Sequence, residues 1–319
     1  MSSLRKVLLL GGTGFVGQAV CERLVERDSA MRLTVPTRRM AHAKAVQFLP
    51  TVDPVECNVH DDAELGRLVA GHNAVVNLIA ILHGSAAEFD KVHVQLPRRL
   101  AAACRAAGVR RVVHVSALGV AADAPSNYLR SKAAGEAALT AAGLDLSILR
   151  PSVIFGAGDR FLNLFAALQA VAPVMPLAAA AARFQPVWVE DVSEAVLRCL
   201  EDPHTVGQTY ECAGPQVFTL GELVRLAGRL AGHERLALPL PESIGRLQAM
   251  VMELLPGVPL MSGDNILSMR VPNVASNDLP GLQALGIRAA ALGSVAPSYL
   301  APGVGLARLN RWRARRKSG

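Results

Sequence analysis

The chain has 319 residues, of which 51% are hydrophobic, 18% are charged and 4% are aromatic, and its formal net charge is +7. This composition excludes a disordered chain, and the length suffices for one large domain or two smaller ones. Its cysteines show no CxxC pair and no metal-ligand spacing, which argues against a metal site or a disulfide framework and favours a reducing compartment; they are Cys21, Cys57, Cys104, Cys199 and Cys212.

Two apolar stretches bear on membrane targeting. The first, Val7 to Leu10, stops at glycines and is too short for a signal peptide. The second, Phe161 to Ala182, is uncharged but is interrupted by Asn163, Pro173 and Pro176, which fits a buried helix and loop better than a membrane span. We therefore expect a cytoplasmic protein.

The first motif is LLLGGTGFVGQAV, Leu8 to Val20, in which three glycines are spaced by three. The first glycine permits a tight turn from strand to helix, the second lets a pyrophosphate approach the backbone, and the third lets the helix press against the strand. The alternative is a tight turn with no ligand. The context of a preceding strand and a following amphipathic helix favours a dinucleotide site, formed by Gly11, Thr13, Gly14, Phe15, Val16 and Gly17.

The first half of the chain alternates short apolar runs with helical patterns. Such alternation predicts an α/β fold with a doubly wound parallel sheet, the Rossmann fold. The predicted strands are Lys6–Leu10, Arg32–Val35, Ala74–Ile81, Arg111–Val115 and Leu144–Leu149. The predicted helices are Phe15–Arg27, Asp62–Ala70, Leu96–Ala107 and Asn127–Ala142.

The residues after the second predicted strand bear on the choice of nucleotide. The sequence there is VPTRR, with Arg38 and Arg39 and no acidic residue. Guanidinium groups match the 2′-phosphate of NADPH, whereas a carboxylate would bind the ribose hydroxyls of NADH. The sequence therefore favours NADPH over NADH, the alternative being two arginines exposed on a loop.

A second motif, YLRSK, follows the fifth predicted strand. Tyr128 and Lys132 are four residues apart and share one helical face. The ammonium group is expected to lower the pKa of the phenol and to hold the nicotinamide ribose, so that the phenol can exchange a proton with the substrate. These two residues are the predicted catalytic pair.

These motifs resemble those of the extended and atypical short-chain dehydrogenase/reductases, the NAD-dependent epimerase/dehydratase family. The segments NLIAIL, HVS, YLRSK, GDRFLN and QPVWV are similar to the branch that contains the NADPH-binding accessory subunit of respiratory complex I. The resemblance runs over roughly residues 5 to 300. It implies the fold and the nucleotide, but this branch includes both enzymes and members that bind NADPH as a structural ligand.

The resemblance also implies further site residues. Asn58 stands where the family usually has an aspartate facing the adenine, and the backbone around Ala80 is expected to line the ribose. Pro151 and Val153, in RPSVIFG, correspond to the nicotinamide side of the site.

The residue that polarises the substrate oxygen is less clearly marked. The family's serine or threonine falls at Ala117, with Ser116 one residue earlier, and neighbouring strand residues point to opposite faces. We expect Ser116 to serve, with Ser126 as the substitute. Asp191 is interpreted as a helix N-cap.

The predicted domain plan is a nucleotide-binding domain over residues 1–156, completed by about 185–213, and a smaller, irregular lobe. That lobe covers 157–184 and 214–307 and is rich in Leu, Ala, Val, Pro and Met. It includes the predicted helices Phe161–Val171 and Leu220–Ala231, the second with a capping box of Thr219 and Glu222. Its composition indicates an apolar small-molecule partner such as a quinone or a lipid, although packing alone also requires apolar residues.

The last dozen residues, 308–319, form a basic tail with no acidic residue. The simplest interpretation is a solvated tail, and the alternative is an anchor to the anionic inner face of a membrane, with Trp312 at the interface. Nucleic-acid binding is not expected, because no recognition motif accompanies the charge. The cations are Arg308, Arg311, Arg313, Arg315, Arg316 and Lys317.

Two functions fit these patterns. The first is an NADPH-dependent oxidoreductase or an epimerase/dehydratase-type enzyme with Tyr128, Lys132 and Ser116 as catalytic residues. The second is a non-catalytic NADPH-binding accessory or assembly subunit of a membrane respiratory complex.

Overall fold

The computed structural model of the protein describes residues 5–241, 243–245, 247, 250 and 261–302. Its central feature is a parallel sheet of seven strands in the order β11-β6-β5-β4-β1-β2-β3. These strands are β1 (Lys6–Leu10), β2 (Arg32–Thr37), β3 (Val52–Glu56), β4 (Ala74–Asn77), β5 (Arg111–Val115), β6 (Asp145–Pro151) and β11 (Thr209–Cys212).

Helices connect these strands and cover the sheet. A π-helical turn, Lys91–Gln95, joins α3 directly to α4. The helices are α1 (Phe15–Arg27), α2 (Asp62–Val69), α3 (Ala86–Asp90), α4 (Leu96–Ala107), α5 (Asn127–Thr140), α6 (Leu162–Val171), α7 (Val189–Glu201) and α8 (Leu220–Ala231). Shorter helical segments are Met40–Ala43, Pro203–Thr205, Gly263–Ser268, Leu282–Leu285, Leu292–Val295 and Pro297–Leu300.

Three two-stranded sheets stand apart from the large one. In β10-β7 and β13-β8 the strands are parallel, and in β12-β9 they are antiparallel. The strands are β7 (Ile154–Phe155), β8 (Val174–Ala178), β9 (Arg183–Phe184), β10 (Val187–Trp188), β12 (Phe218–Thr219) and β13 (Leu236–Leu240).

The predicted doubly wound parallel sheet is confirmed. Val7 to Leu10 and Ala74 to Val76 are fully buried, as expected for central strands covered by helices on both faces. The strand order reverses between β1 and β4, and ligands of such sheets bind beyond the carboxyl ends of the strands at that point. The glycine turn and the segment after β4 lie at these carboxyl ends.

The structure departs from the sequence prediction in several segments. Strand β3 was not predicted, because VDPVE is polar and contains a proline, a composition that suits the edge strand it forms. The prediction of a strand over Ala74–Ile81 was too long, since β4 ends at Asn77. The predicted N-cap role of Asp191 is wrong, because α7 begins at Val189 and Asp191 lies in its first turn.

The chain divides into two units, which we describe separately. The described residues of the first unit are those up to Pro151, Glu190–Cys212 and Ser276–Arg288, and the second holds Ser152–Val189 and the described parts of 213–275 and 289–302. No helix in these described segments is long and apolar enough to cross a membrane. The predicted basic tail and Trp312 lie outside the described residues.

The second unit has a core of its own. Helices α6 and α8 pack against each other, α6 also packs against β8 and α8 against β13, and the capping box predicted for α8 is present. Its largest fully buried side chain is that of Phe155. The buried members of this core include Leu162, Met175, Leu177, Leu220, Leu223, Val224, Leu292 and Leu300.

Replacing Gly17 with alanine tests the contact between α1 and the preceding turn. A Cβ atom at Gly17 would lie 2.3 Å from the carbonyl oxygen of Gly11. We expect Gly17→Ala to lower the free energy of unfolding by about 3 kcal/mol, because neither backbone can give way. Urea denaturation measures this change.

Gly66 provides the matched control. It lies inside α2, and a Cβ atom there would meet nothing within 4 Å. Gly66→Ala should leave stability unchanged or raise it by about 0.5–1 kcal/mol. Equal effects of the two substitutions would contradict the proposed packing role of Gly17.

Candidate functional site

The glycine turn between β1 and α1 has the geometry that the sequence predicted. Gly11 has a φ of +85°, which favours glycine. Gly17 lies so close to the turn that an added Cβ atom would be 2.5 Å from the Cα atom of Gly12. Helix α1 therefore begins directly on the turn.

The start of α1 is suited to an anion. Gly14 is the N-cap and supplies no side-chain hydrogen bond, and the first turn contains no acidic residue. The first backbone N–H groups of a helix have no acceptor within it, and they carry the positive end of the helix dipole. The N–H groups of Phe15 and Val16 are therefore available for a pyrophosphate. Gln18 fixes the turn by donating its Nε2 hydrogen bond to the carbonyl of Thr13 at 3.0 Å.

Arg38 and Arg39 follow β2 and are both exposed. The Thr37 hydroxyl donates to the carbonyl of Arg39 at 3.0 Å, which fixes the backbone here. No hydrogen bond or ion pair to any described residue holds either guanidinium group. The two cations are thus available to an external phosphate.

Asn58 lies in a turn after β3. Its side-chain oxygen accepts from the His60 N–H at 3.2 Å, and its own N–H donates to the Glu64 carboxylate at 2.6 Å. The side-chain oxygen therefore has a local partner, and the role of Asn58 toward adenine stays a prediction.

Asn77, the last residue of β4, makes one contact to the segment that follows it and one to the neighbouring strand β5. Asn77 accepts from the Ile79 N–H at 3.2 Å, and its amide contacts Nδ1 of His114, its register partner on β5, at 3.2 Å. Burial lowers the pKa of His114 well below its usual range, so this ring is neutral. Ala80, predicted to line the ribose, is exposed on this segment.

Ser116 lies just beyond the end of β5. The alternation of side-chain direction along a strand therefore does not determine the direction of the Ser116 side chain. Its N–H donates to the carbonyl of Leu149 at 2.7 Å, and the side chain is buried. The hydroxyl oxygen is itself buried and has no hydrogen-bond partner in the described chain. An unpaired buried hydroxyl costs stability, which favours a ligand as its partner.

The predicted substitute, Ser126, has a structural role instead. It is fully buried and caps α5 by accepting from the Leu129 N–H at 3.2 Å. Ala117 is also buried. Of the three positions, Ser116 carries the unpaired hydroxyl.

Tyr128 and Lys132 lie on α5 as predicted. Lys132 is 2% exposed, and its ammonium group donates to the carbonyl of Val115 at 2.8 Å. Burial lowers the pKa of Lys132 to about 8, and the nearby Glu136 opposes this shift. Glu136 itself forms a 2.5 Å ion pair with Arg150. Lys132 is therefore still mostly charged at neutral pH.

The expectation that Lys132 lowers the pKa of Tyr128 is wrong for this structure. Burial raises the pKa of Tyr128 to about 12, because the phenolate is poorly solvated among its neighbours. The phenol is therefore protonated at neutral pH.

His93 is a site residue that the sequence reasoning missed. The π-helical turn between α3 and α4 places its buried ring against Tyr128, with the ring centroids 5.5 Å apart and the planes at 81°. Phe89 contacts both rings, at 5.5 Å from His93 and 6.1 Å from Tyr128. Short π-helical turns of this kind are frequent at functional sites.

Hydrogen bonds fix the tautomer of His93. Its Nε2 accepts from the Ile81 N–H at 3.1 Å, so Nδ1 carries the proton and donates to the Ser131 hydroxyl at 2.9 Å. Ser131 in turn donates to the carbonyl of Tyr128 at 2.8 Å. Burial, followed by the charge of Lys132, lowers the pKa of His93 to about 3.

One sequence signal for this arrangement was available. Gly135, three residues after Lys132, lets α5 approach the π-helical turn, because a Cβ atom there would lie 2.0 Å from the carbonyl oxygen of His93. A glycine inside a helix disfavours that helix unless close packing requires it. No sequence pattern pointed to His93 itself.

Pro151 and Val153 lie in different units. Pro151 ends β6 and accepts from the Leu118 N–H at 2.9 Å. Val153 belongs to the second unit, where its N–H donates to the Asn273 side chain at 2.8 Å. Their predicted contact with the nicotinamide remains a prediction.

Within the described residues, no group of histidine, cysteine or acidic side chains could hold a metal ion. All five cysteines are buried and unpaired. Burial raises the pKa of the Cys21 and Cys104 thiols to about 12, so neither is a thiolate at neutral pH.

His93→Asn tests whether the His93 ring is neutral in the folded protein. Because its pKa is about 3 when folded and 6.5 when exposed, the unfolded state binds more protons between these values. The wild type should lose stability relative to the variant as pH falls from 6.5 towards 3, by at most about 1.4 kcal/mol per pH unit. Urea denaturation over this pH range measures the difference, and parallel pH curves would contradict the assignment.

The chain is similar to several known proteins. The model of the NAD dependent epimerase/dehydratase family matches residues 7–213. A mitochondrial protein of Mus musculus, NADH dehydrogenase [ubiquinone] 1 alpha subcomplex subunit 9, is 32% identical over 287 residues, which are 88% of this chain and 75% of that protein. The ceramide reductase of Caulobacter vibrioides is 29% identical over 238 residues, 74% of each chain.

Among solved structures, the chain is similar to the NADPH-dependent quinone oxidoreductase QOR2 of Escherichia coli complexed with NADPH. The TM-score is 0.74 and the sequence identity is 20%, and the match covers 92% of this chain and 99% of that one. At this identity the likeness shows the fold alone.

Proposed function

The chain belongs to the NAD dependent epimerase/dehydratase family, and we propose that it is an NADPH-dependent reductase acting on a carbonyl group of an apolar molecule. The observation that carries this proposal is that a protonated Tyr128 phenol and a charged Lys132 lie one turn apart on α5. The buried, unpaired Ser116 hydroxyl supports it.

The residues present fit NADPH. The N–H groups at the start of α1 would receive the pyrophosphate, and the turn leaves no side chain in the way at Gly14. Arg38 and Arg39, with no partner in the described chain, would pair with the 2′-phosphate. Lys132 would hold the nicotinamide ribose.

NADPH, when bound, supplies a hydride. The chain's own residues would then manage the oxygen of the substrate carbonyl. Ser116 would donate a hydrogen bond to that oxygen, and Tyr128 would transfer its phenolic proton to it as negative charge develops. The charged Lys132 would stabilise the phenolate that remains.

We favour reduction over epimerase or dehydratase chemistry because a ceramide reductase is among the relatives of this chain. In that direction the phenol, which is protonated at neutral pH, would give its proton to the substrate oxygen.

The proposed substrate class follows from the composition of the second unit, which is rich in Leu, Ala, Val, Pro and Met. A quinone-like or lipid-like carbonyl compound matches this apolar composition.

A second candidate function is an accessory or assembly subunit of a membrane respiratory complex that binds NADPH without turnover. The similarity over 88% of this chain to a subunit of mitochondrial NADH dehydrogenase favours it. In that case Tyr128 and Ser116 would only help to hold the nucleotide.

Tyr128→Phe separates the two candidates. We expect NADPH affinity to change less than about twofold, and the rate of NADPH oxidation with a short-chain ubiquinone or a long-chain methyl ketone to fall by about 10²–10⁴-fold. Absorbance at the nicotinamide band follows the reaction, and fluorescence titration gives the affinity. Tyr210→Phe, on β11, is the control and should keep the wild-type rate.

A Tyr128→Phe variant with wild-type oxidation rate would contradict the reductase proposal. If, in addition, the variant fully restored growth to a strain lacking this protein, the accessory role would be favoured.

Replacing Arg38 and Arg39 with serine tests the nucleotide preference. The Kd for NADPH should rise at least about tenfold, because two charge-assisted contacts to the 2′-phosphate are lost, whereas the Kd for NADH should not change. Arg32→Ser is the control, since Arg32 is exposed on β2 and contacts Asp53 at 3.6 Å. A wild type that binds NADH more tightly than NADPH would overturn the preference.

A further inference from the structure

Two parts of the proposed site meet at the side chain of His93, which is 2% exposed. The first part is the segment 78–81, which follows β4. The second part is Tyr128 on α5. All of these residues belong to the first unit. The contacts of His93 with each part decide what this residue does for the site.

The near end of the segment 78–81 is packed against the glycine turn. The N–H of Leu78 donates to the carbonyl of Leu10 at 2.9 Å. A Cβ atom on Gly11 would lie 3.1 Å from the carbonyl carbon of Leu78, so the two backbones are in close contact. The segment therefore begins beside the turn that is proposed to receive the pyrophosphate.

The far end of the segment is held by His93. The N–H of Ile81 donates to Nε2 of His93 at 3.1 Å. The preceding residue, Ala80, is the exposed residue that the sequence predicts beside the ribose. A main-chain N–H that loses such a partner costs stability, and its segment loses that attachment. His93 thus anchors the end of the segment that carries the predicted ribose contact.

The same ring fixes the phenol of Tyr128. The planes of the His93 and Tyr128 rings meet at 81° with their centroids 5.5 Å apart, an edge-to-face arrangement that aromatic rings prefer. Phe89, which is 1% exposed, contacts the phenol ring in a similar way at 6.1 Å and 68°. On its other nitrogen, His93 donates to the Ser131 hydroxyl at 2.9 Å. The two hydrogen bonds of His93 hold its ring, and that ring in turn limits where the phenol can lie.

Position 93 makes two demands on its side chain. Phenylalanine would keep a ring beside Tyr128 but would take away the acceptor of the Ile81 N–H. Glutamine would offer an acceptor and a donor but no ring. A neutral histidine meets both demands, since one ring nitrogen accepts and the other donates. The alternative is a buried histidine that serves stability alone, in which case every substitution would act on folding and not on the site.

We propose that His93 is a positioning residue of the reductase site, which holds the segment 78–81 beside the nucleotide ribose and aims the phenol of Tyr128 at the substrate oxygen. It acts through Ile81 and Tyr128 and does not itself touch the reacting atoms. A displacement of about 1 Å in a reacting group lowers a rate by up to about 10²-fold, so small shifts of the phenol matter. The inference rests on the proposed reductase function.

Two substitutions in the full chain separate the two contacts. His93→Phe removes the acceptor of the Ile81 N–H, so the Kd for NADPH should rise at least about fivefold. Its kcat at saturating NADPH should stay within about threefold of wild type, because a ring still packs on Tyr128. His93→Gln should give the opposite result. Its Kd for NADPH should stay within about twofold, while kcat falls at least about tenfold with the same KM for the carbonyl compound.

Fluorescence titration measures the Kd for NADPH. Absorbance at the nicotinamide band gives kcat and KM with a short-chain ubiquinone or a long-chain methyl ketone. The thermal midpoint of each variant reports on folding. If His93→Phe does not fold, His93→Met replaces it, because methionine adapts to the available space and also lacks the acceptor. It should raise the Kd for NADPH equally.

His72 provides the matched control. It is a half-buried histidine of the same unit, and its Nε2 atom lies 2.8 Å from the Thr34 hydroxyl. It precedes β4 and so lies at the amino end of the sheet, away from the proposed site. His72→Phe and His72→Gln should therefore keep the wild-type Kd and kcat.

A wild-type Kd for NADPH in His93→Phe, or a wild-type kcat in His93→Gln, would overturn the proposal. Two variants that change Kd, kcat and thermal midpoint in parallel would also overturn it, since that pattern indicates a structural role alone. A wild type that binds NADPH but reduces neither carbonyl compound would instead contradict the proposed function. In that case an unchanged Kd in His93→Phe would still overturn the role of His93 toward the segment 78–81.

Discussion

The site depends on the direct contact of α1 with the turn that precedes it. Gly17 has no side chain, so its Cα atom can sit against the carbonyl of Gly11 and the backbone of Gly12. This contact places the start of α1 at the carboxyl end of β1, next to the point where the strand order reverses. The positive end of the helix dipole then lies where the pyrophosphate is proposed to bind.

A second constraint is the burial of ionisable groups at the carboxyl ends of β4 and β5. His93 and His114 are held neutral, Lys132 keeps its charge at neutral pH, and Tyr128 keeps its proton. Main-chain groups supply much of the polar contact, as the bond from Lys132 to the carbonyl of Val115 shows. In the part of the chain that the structure describes, the buried Ser116 hydroxyl has no hydrogen-bond partner.

The sequence predicted those features that depend on local pattern. Apolar runs identified the central strands, and the glycine spacing identified the turn at the start of α1. The arrangement around His93 could not be predicted, because a π-helical turn has no sequence signature and the ring is placed by contacts with distant residues such as Ile81 and Ser131. The pKa of Tyr128 was predicted in the wrong direction, since spacing shows a neighbouring charge but not the extent of burial.

A crystal structure of the chain with NADP⁺ bound would show directly where the nucleotide lies. We expect the pyrophosphate at the N–H groups of Phe15 and Val16. We also expect the nicotinamide to lie within reach of both the Tyr128 hydroxyl and the Ser116 hydroxyl. A nicotinamide turned away from these two groups, with the Ser116 hydroxyl still enclosed and unpaired, would contradict this expectation.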